Sequence, residues 1–260
     1  MAIIDKPTDY FETLTWSGNS TDNRAISGLD FAPNWVWIKC RNNGQNHNLF
    51  DTVRGATESI ESNSSNAENT DATSLKSFTS DGYTLGTGVT VNGNSKTYVG
   101  WNWKAGTSFT NDASSTGIGT IDSAGSVNQD AGFSIVSYTG NSPNATTIKH
   151  GLNSIPQMII FKRLVGAGNF TVYHQSLGNT KGIFLTTTAA PDTSSGYFNN
   201  TTPTSSVFSV ANSGDTNSNG NAMIAYCFAE KTGYSKFGSY TGNGNADGTF
   251  IYTGFKPALD

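Results

Sequence analysis

Charge is scarce in this chain. Only 13% of the 260 residues are Asp, Glu, Lys or Arg, and the net charge is -4. That balance excludes a basic footprint for nucleic acid and a polybasic face for anionic membranes. Long hydrophobic runs are also missing. No apolar stretch approaches the roughly 18 residues a spanning helix needs. The opening MAIIDKPTDY has no basic stretch leading into an apolar run, so no signal peptide is expected there. With three histidines, His47, His150 and His174, and no G-x-S-x-G elbow, a nucleophilic triad lacks its parts. Glycine-rich turns occur, but none leads into a helix that could cradle phosphate. Helical periodicity is nearly absent throughout.

Aromatic residues are plentiful: 15 Phe, 10 Tyr and 5 Trp. Each buried aromatic removes about 150–250 Å² from water, on the order of 4–6 kcal/mol before entropy is subtracted. A low-hydrophobicity chain with that supply can build real cores. Short stretches rich in Val, Ile, Thr and aromatics alternate with Gly, Asn, Asp and Pro, which predicts an all-β fold of sandwich type.

Three phrases are versions of one another: WSGNS (Trp16 to Ser20), YTGNS (Tyr138 to Ser142) and YTGNG (Tyr240 to Gly244). The first two anchor a longer match at a nearly constant offset. NWVWIKCR (Asn34 to Arg41) pairs with QMIIFKR (Gln157 to Arg163), LFDTVRG (Leu49 to Gly55) with VYHQSLG (Val172 to Gly178), and Tyr98 to Trp103 with Met223 to Phe228. The chain is a tandem duplication that ends on the opening of a third copy. Two tandem β-sandwiches of jelly-roll or lectin-like type are expected, over residues 1–105 and 132–260. Residues 106–131 form a linker with one strand near Ile118 to Ile121, and 236–260 form a C-terminal extension. That extension either adds strands to the second sandwich or belongs to a longer chain.

The duplication serves as an internal control. Cys40 aligns with Arg163 and Cys227 with Asn102, so a shared disulfide or zinc site is not expected, and two buried free thiols in a reducing cytoplasm are. Glu12, Asp30, Asp51, Glu58 and Glu61 form no catalytic pair legible in sequence and are expected as solvated surface carboxylates. Asp215-Thr-Asn217-Ser-Asn219-Gly220 opens like a calcium loop, but its twelfth position is Tyr226 where a bidentate Glu belongs. An Asn/Gly hairpin shared with Val91 to Asn94 explains it as well. No catalytic, cofactor-binding or metal residue is therefore assigned. The segment Glu58 to Ser74 is polar and expected as an exposed loop.

Alternation places Val99, Trp101 and Trp103 on one core-facing side of a strand, with Ile224, Tyr226 and Phe228 their equivalents; Val99 and Ile224 are expected to be fully buried. The strands Trp35 to Ile38 and Met158 to Phe161 are apolar on both faces, so both faces must be covered. A loop, the neighbouring copy or another subunit could do it.

The phrases KPTDYFETLTWSGNS, NWVWIKCRNNGQNHNLFDTVRG, SFTSDGYTLG, KTYVGWNWKAG, GFSIVSYTGN and AYCFAEKTGYSKFGSYTGNGNADGTFIYTGFKP resemble repeat domains of virion structural, tail-fibre-like proteins of marine tailed bacteriophages. The resemblance implies a β-rich scaffold in a virion assembled in the host cytoplasm, and it implies no reaction. The expected function is non-enzymatic: a part of a fibre, tail appendage or capsid decoration, for assembly and, as a further expectation, host-surface attachment. Its partners would be itself, as a homo-oligomer guessed to be a trimer, other virion proteins, and a host surface glycan, with no nucleic acid and no membrane insertion. A glycan-binding module is the alternative, and a polysaccharide depolymerase a third.

Overall fold

The computed structural model describes residues 3–142 and 145–257. They form an almost entirely β structure of packed antiparallel sheets. The first copy contains β1 (Phe11–Ser17), β2 (Arg24–Ser27), β3 (Trp35–Cys40), β4 (Asn48–Asp51), β5 (Gly55–Glu61), β6 (Asn69–Thr70), β7 (Leu75–Thr79), β8 (Gly82–Leu85) and β9 (Thr97–Trp103). A hairpin follows, β10 (Thr107–Asn111) and β11 (Ser123–Asn128). The second copy contains β12 (Phe133–Thr139), β13 (Thr146–Lys149), β14 (Met158–Arg163), β15 (Thr171–His174), β16 (Lys181–Phe184), β17 (Asp192–Thr193), β18 (Val207–Val210) and β19 (Ala222–Phe228).

The large sheet of the first copy runs β1-β9-β3-β4-β5-β6, and that of the second runs β12-β19-β14-β15-β16-β17 in the same order. The hairpin adds β10 and β11 to the β12 edge, giving that sheet eight strands. A strand over Ile118 to Ile121 does not form; strands lie on either side of it. Gly125 explains part of the placement. A Cβ there would stand 1.9 Å from the Ile135 carbonyl oxygen, so only glycine lets β11 lie this close to β12. Small sheets complete the layers: β2-β8-β7 in the first copy and β13-β18 in the second.

Three cores separate four layers. Val36, Ile38 and Cys40 of β3 pack with Tyr83 and Leu85 of β8 between the large and small sheets of copy one. Ile159 and Phe161 of β14 pack with Ile148 of β13 and Phe208 of β18 in copy two. The third core lies between the copies: Trp35 and Trp103 meet Phe133, Ile135, Tyr226 and Phe228. This answers the two-faced strands. One face of β3 covers its own small sheet, and the other, with Trp35 and half-buried Trp37, covers the neighbouring copy. No second subunit is needed for it.

The alternating face of β9 and β19 belongs to this middle core. Ile224 is fully enclosed, whereas Val99 is only half-buried. Val99 pairs across the sheet with Thr15 and Lys39, so it sits among polar side chains at the rim of the inter-copy contact. Toward the middle of that contact, Trp103 pairs with Phe11 and Trp35.

The segment Glu58 to Ser74 is not merely an exposed loop. It supplies the end of β5 and all of β6, and its backbone bonds to copy two: Glu68 N–H to the Leu164 carbonyl and the Ser65 carbonyl from Gly168 N–H, both 2.9 Å. The C-terminal extension divides in two. Phe237 packs against the middle core, while Tyr240, Phe250 and Tyr252 stand 69%, 85% and 77% exposed. The expectation that the tail packs its aromatics on copy two is met by Phe237 and fails for these three. Phe255 is partly buried as well, and among the described residues of the extension no strand is added to the second sandwich.

Candidate functional site

The repeated phrase is a latch. Trp16 Nε1 donates to the Val91 carbonyl (2.9 Å), and the Tyr138 hydroxyl donates to the Thr216 carbonyl (2.6 Å). Two residues on, the chain presses against the same loop: a Cβ on Gly18 would lie 2.1 Å from the Gly93 oxygen, and one on Gly140 2.2 Å from the Ser218 oxygen. The next residue finishes the lock. Asn19 N–H donates to Asn92 Oδ1 (3.1 Å), and Asn141 N–H to Asn217 Oδ1 (2.9 Å). The two buried amides then donate onward, Asn92 to the Gly86 carbonyl and Asn217 to the Ala211 carbonyl. An aromatic donor, Trp16 or Tyr138, then glycine and asparagine recur at this spacing because one loop must be gripped by a donor, a bare backbone and a cap.

This geometry also accounts for the calcium-like stretch. Asn217 is spent in the latch, and both Asp215 oxygens accept from Asn169, from its N–H and its amide (3.0 and 3.1 Å). Among the described residues no group of three or more His, Cys, Asp or Glu is placed to hold a metal ion.

The carboxylates expected at the surface do not share one fate. Asp30 pairs with Lys6 in solvent (2.7 Å), and Lys6 holds its carboxyl below the ordinary range. Glu12 accepts the Asp30 N–H, Glu58 the Thr70 hydroxyl, and Glu61 the Asn66 amide. Asp51 is the correction: it is fully buried between the copies. Its Oδ1 accepts the N–H groups of Val53 and Arg54, and its Oδ2 accepts Arg54 Nε (2.5 Å) and the Tyr226 hydroxyl (2.7 Å). Arg54 spends its other donors on the Leu49 and Glu58 carbonyls and on Glu68 (2.9 Å). Burial opposes the Arg54 charge, but Asp51 and the rest of the cluster outweigh it and raise its pKa. Burial lifts the Glu68 carboxyl against the pull of Arg54 and raises the Tyr226 phenol far above its ordinary value. Lys162 is likewise enclosed, donating to the Gly168 carbonyl (2.6 Å) and across to the Ser65 carbonyl (3.2 Å) of copy one. Desolvation brings it down to about 8. Chemically, this cluster is an ion pair with its oxygens and N–H groups already engaged, suited to fixing the register of two sheets.

The cluster escaped sequence reasoning because Asp51 aligns with His174 and Arg54 with Leu177. The signal was that very asymmetry: a pair confined to one copy serves the junction and not the repeat.

The histidines act separately. Buried His150 accepts the Leu152 N–H at Nδ1 (3.2 Å) and faces the Thr204 carbonyl with Nε2 (3.1 Å), partners that fit the Nε2–H tautomer. Burial lowers its pKa to about 4. His174 accepts the Ser176 N–H, and burial lowers both His174 and His47. Cys40 and Cys227 are free, buried thiols. Trp35 and Trp103 are 1% and 8% exposed, spent in the middle core and unavailable as open platforms for sugar rings.

One cavity of about 500 Å³ opens where the tail crosses the inter-copy junction. Phe11, Trp37, Phe133 and Met158 line its floor, and Phe237 and Phe255 close it from the tail.

No curated protein and no solved structure matches the chain. A family does: it matches residues 6–259, crossing both copies and the tail without a break. The chain belongs to that family, described as a domain of unknown function (DUF7483).

Proposed function

We propose that this protein is a non-enzymatic structural component of a bacteriophage virion, a building block of a fibre, tail appendage or capsid decoration. The observation that carries the reading is the exposed tail. Tyr240, Phe250, Ile251 and Tyr252 form an apolar arm in solvent, although the chain supplies a β-type sequence for it. Tyr240 occupies the latch position at which Trp16 and Tyr138 are buried. An apolar surface of that kind marks a contact with another protein. The resemblance of the repeat phrases to tail-fibre-like proteins supports the virion location. Low charge suits a particle surface that avoids non-specific electrostatic adhesion.

Homo-oligomerisation, with a trimer as first guess, now rests on this arm alone, because the apolar strands are covered within the chain. Antibodies raised against the chain should label purified phage particles in immunogold micrographs. Their absence from particles that contain every other virion protein would overturn the assignment. Light scattering should show wild-type self-association at micromolar concentration, lost when Tyr240, Phe250 and Tyr252 are all changed to Ser. A monomeric wild type would remove the oligomer from the proposal.

A further inference from the structure

The edges of the two large sheets are finished differently. In copy two the outer side of β12 is taken by β11, which pairs Ser126 with Ile135 and Ala124 with Ser137. In copy one β1 ends its sheet. Thr13 and Thr15 stand there where copy two has Ile135 and Ser137. Lys104 N–H donates to the Tyr10 carbonyl and Gly18 N–H to the Lys96 carbonyl. Antiparallel alternation therefore turns the backbone of Glu12, Leu14 and Trp16 toward β9, and that of Thr13 and Thr15 outward. Both threonines are exposed, and their outward N–H and C=O groups have no partner among the described residues. Sheet edges are commonly blunted by Lys, Pro or a bulge. β1 is seven residues long, FETLTWS, with no Lys, no Pro and an unbroken register against β9. It is a template for one more strand.

The chain also carries a strand sequence without a sheet. β2 begins eight residues after Trp16, and β13 eight residues after Tyr138. Eight residues after Tyr240 comes Gly248, and the run 249–253, Thr-Phe-Ile-Tyr-Thr, follows in the same place. Its residues are β-branched and aromatic, yet it forms no strand, and Phe250 and Tyr252 stand in solvent.

We propose that the run 249–253 of one chain pairs with β1 of a second copy, extending that large sheet by one strand as β11 extends the sheet of copy two. This rests on the tail being the self-association contact, and it names the surface that receives the tail. One pairing answers both observations. The outward backbone groups of Thr13 and Thr15 gain partners, and Phe250 and Tyr252, on one face of the added strand, cover side chains of β1. Each chain gives one arm and receives one, so the contact is heterologous and closes into a ring or runs on as a filament.

Sedimentation velocity of the full chain at micromolar concentration tests the pairing. Thr13→Pro removes an N–H that serves no bond to β9 and blocks an added strand. Thr13→Lys combined with Thr15→Lys blunts the same edge by charge. Each should weaken self-association about tenfold or more, with an unchanged circular-dichroism spectrum. A synthetic peptide of residues 245–257, added to the full-length chain carrying Tyr240→Ser, Phe250→Ser and Tyr252→Ser, should slow hydrogen exchange at the Thr13 and Thr15 amides. Association lost in that tail variant but intact in both β1 variants would overturn the pairing, while the tail would stand as a contact with some other surface. A dimer that survives the tail variant and is lost in the β1 variants would overturn it in favour of β1 pairing with β1. A peptide that leaves both amides unprotected would also overturn it, and a monomeric wild type would remove this pairing together with the oligomer.

Discussion

The two copies share a strand order and a latch, and they differ where they meet. Trp16 and Tyr138, Gly18 and Gly140, and Asn92 and Asn217 do the same work in each half. Even Lys39 and Lys162 correspond: Lys39 donates to the Gln45 carbonyl and Lys162 to the matching Gly168 carbonyl. Only Lys162 reaches further, to Ser65 of the other copy. Only copy one carries Asp51 and Arg54, and only copy two answers with Tyr226. Equivalent aromatic and aliphatic faces of the two halves meet in the middle core, and polar residues unique to one half fix that junction.

The largest expected effect tests the joining residues. Arg54→Met leaves Asp51 buried without its charge partner and should cost roughly 3–5 kcal/mol in denaturant unfolding. Adding Asp51→Asn should recover a large part of that loss. A cost under about 1 kcal/mol would show that the ion pair does not hold the junction.

Acid should separate the copies next. His150 occurs only in copy two and is held neutral in the fold, with its pKa lowered to about 4 from an ordinary 6.5. Between those values the unfolded chain takes up a proton that the folded chain refuses. The stability contribution is whole above pH 6.5 and is lost as pH falls toward 4, by about 3 kcal/mol. His150→Gln should flatten that part of the pH profile; an identical profile in the variant would assign the acid sensitivity elsewhere.

Tyr226→Phe removes the hydroxyl that copy two offers to Asp51 and keeps the ring. A hydrogen bond to a charged group predicts a loss of roughly 1.5–3 kcal/mol. The smallest effect tests the symmetry itself. Trp16→Phe and Tyr138→Phe each delete one latch donor, and each should cost about 1–2 kcal/mol. Stability losses in the two variants that differ by several-fold would break the equivalence of the latches.

Much of the fold was legible in the chain. Alternation in Tyr98–Trp103 and Met223–Phe228 located the central strands, and the doubly apolar Trp35–Ile38 required two covers. The identity of the second cover was not legible, because apolar residues do not name their partner. A sheet, a loop or a subunit would all have satisfied them. Asp51 was misplaced at the surface for a related reason: a lone carboxylate in a turn sequence such as FDTVRG carries no sign of Tyr226, 175 positions away. The hairpin strands β10 and β11 were hidden by their Ser, Thr and Gly content, since Gly125 suits close approach and not strand propensity. The tail was the reverse case. Its aromatics suggested burial, yet among the described residues the loops of Asn92 and Asn217 are each gripped by the latch of their own copy and not by the phrase at Tyr240.

Scanning calorimetry of the full chain tests most directly whether the copies are welded into one unit by the core between them. The shared core of Trp35, Trp103, Phe133, Tyr226 and Phe228 predicts a single cooperative transition whose calorimetric and van't Hoff enthalpies agree. Two separable transitions, one for each copy, would contradict it.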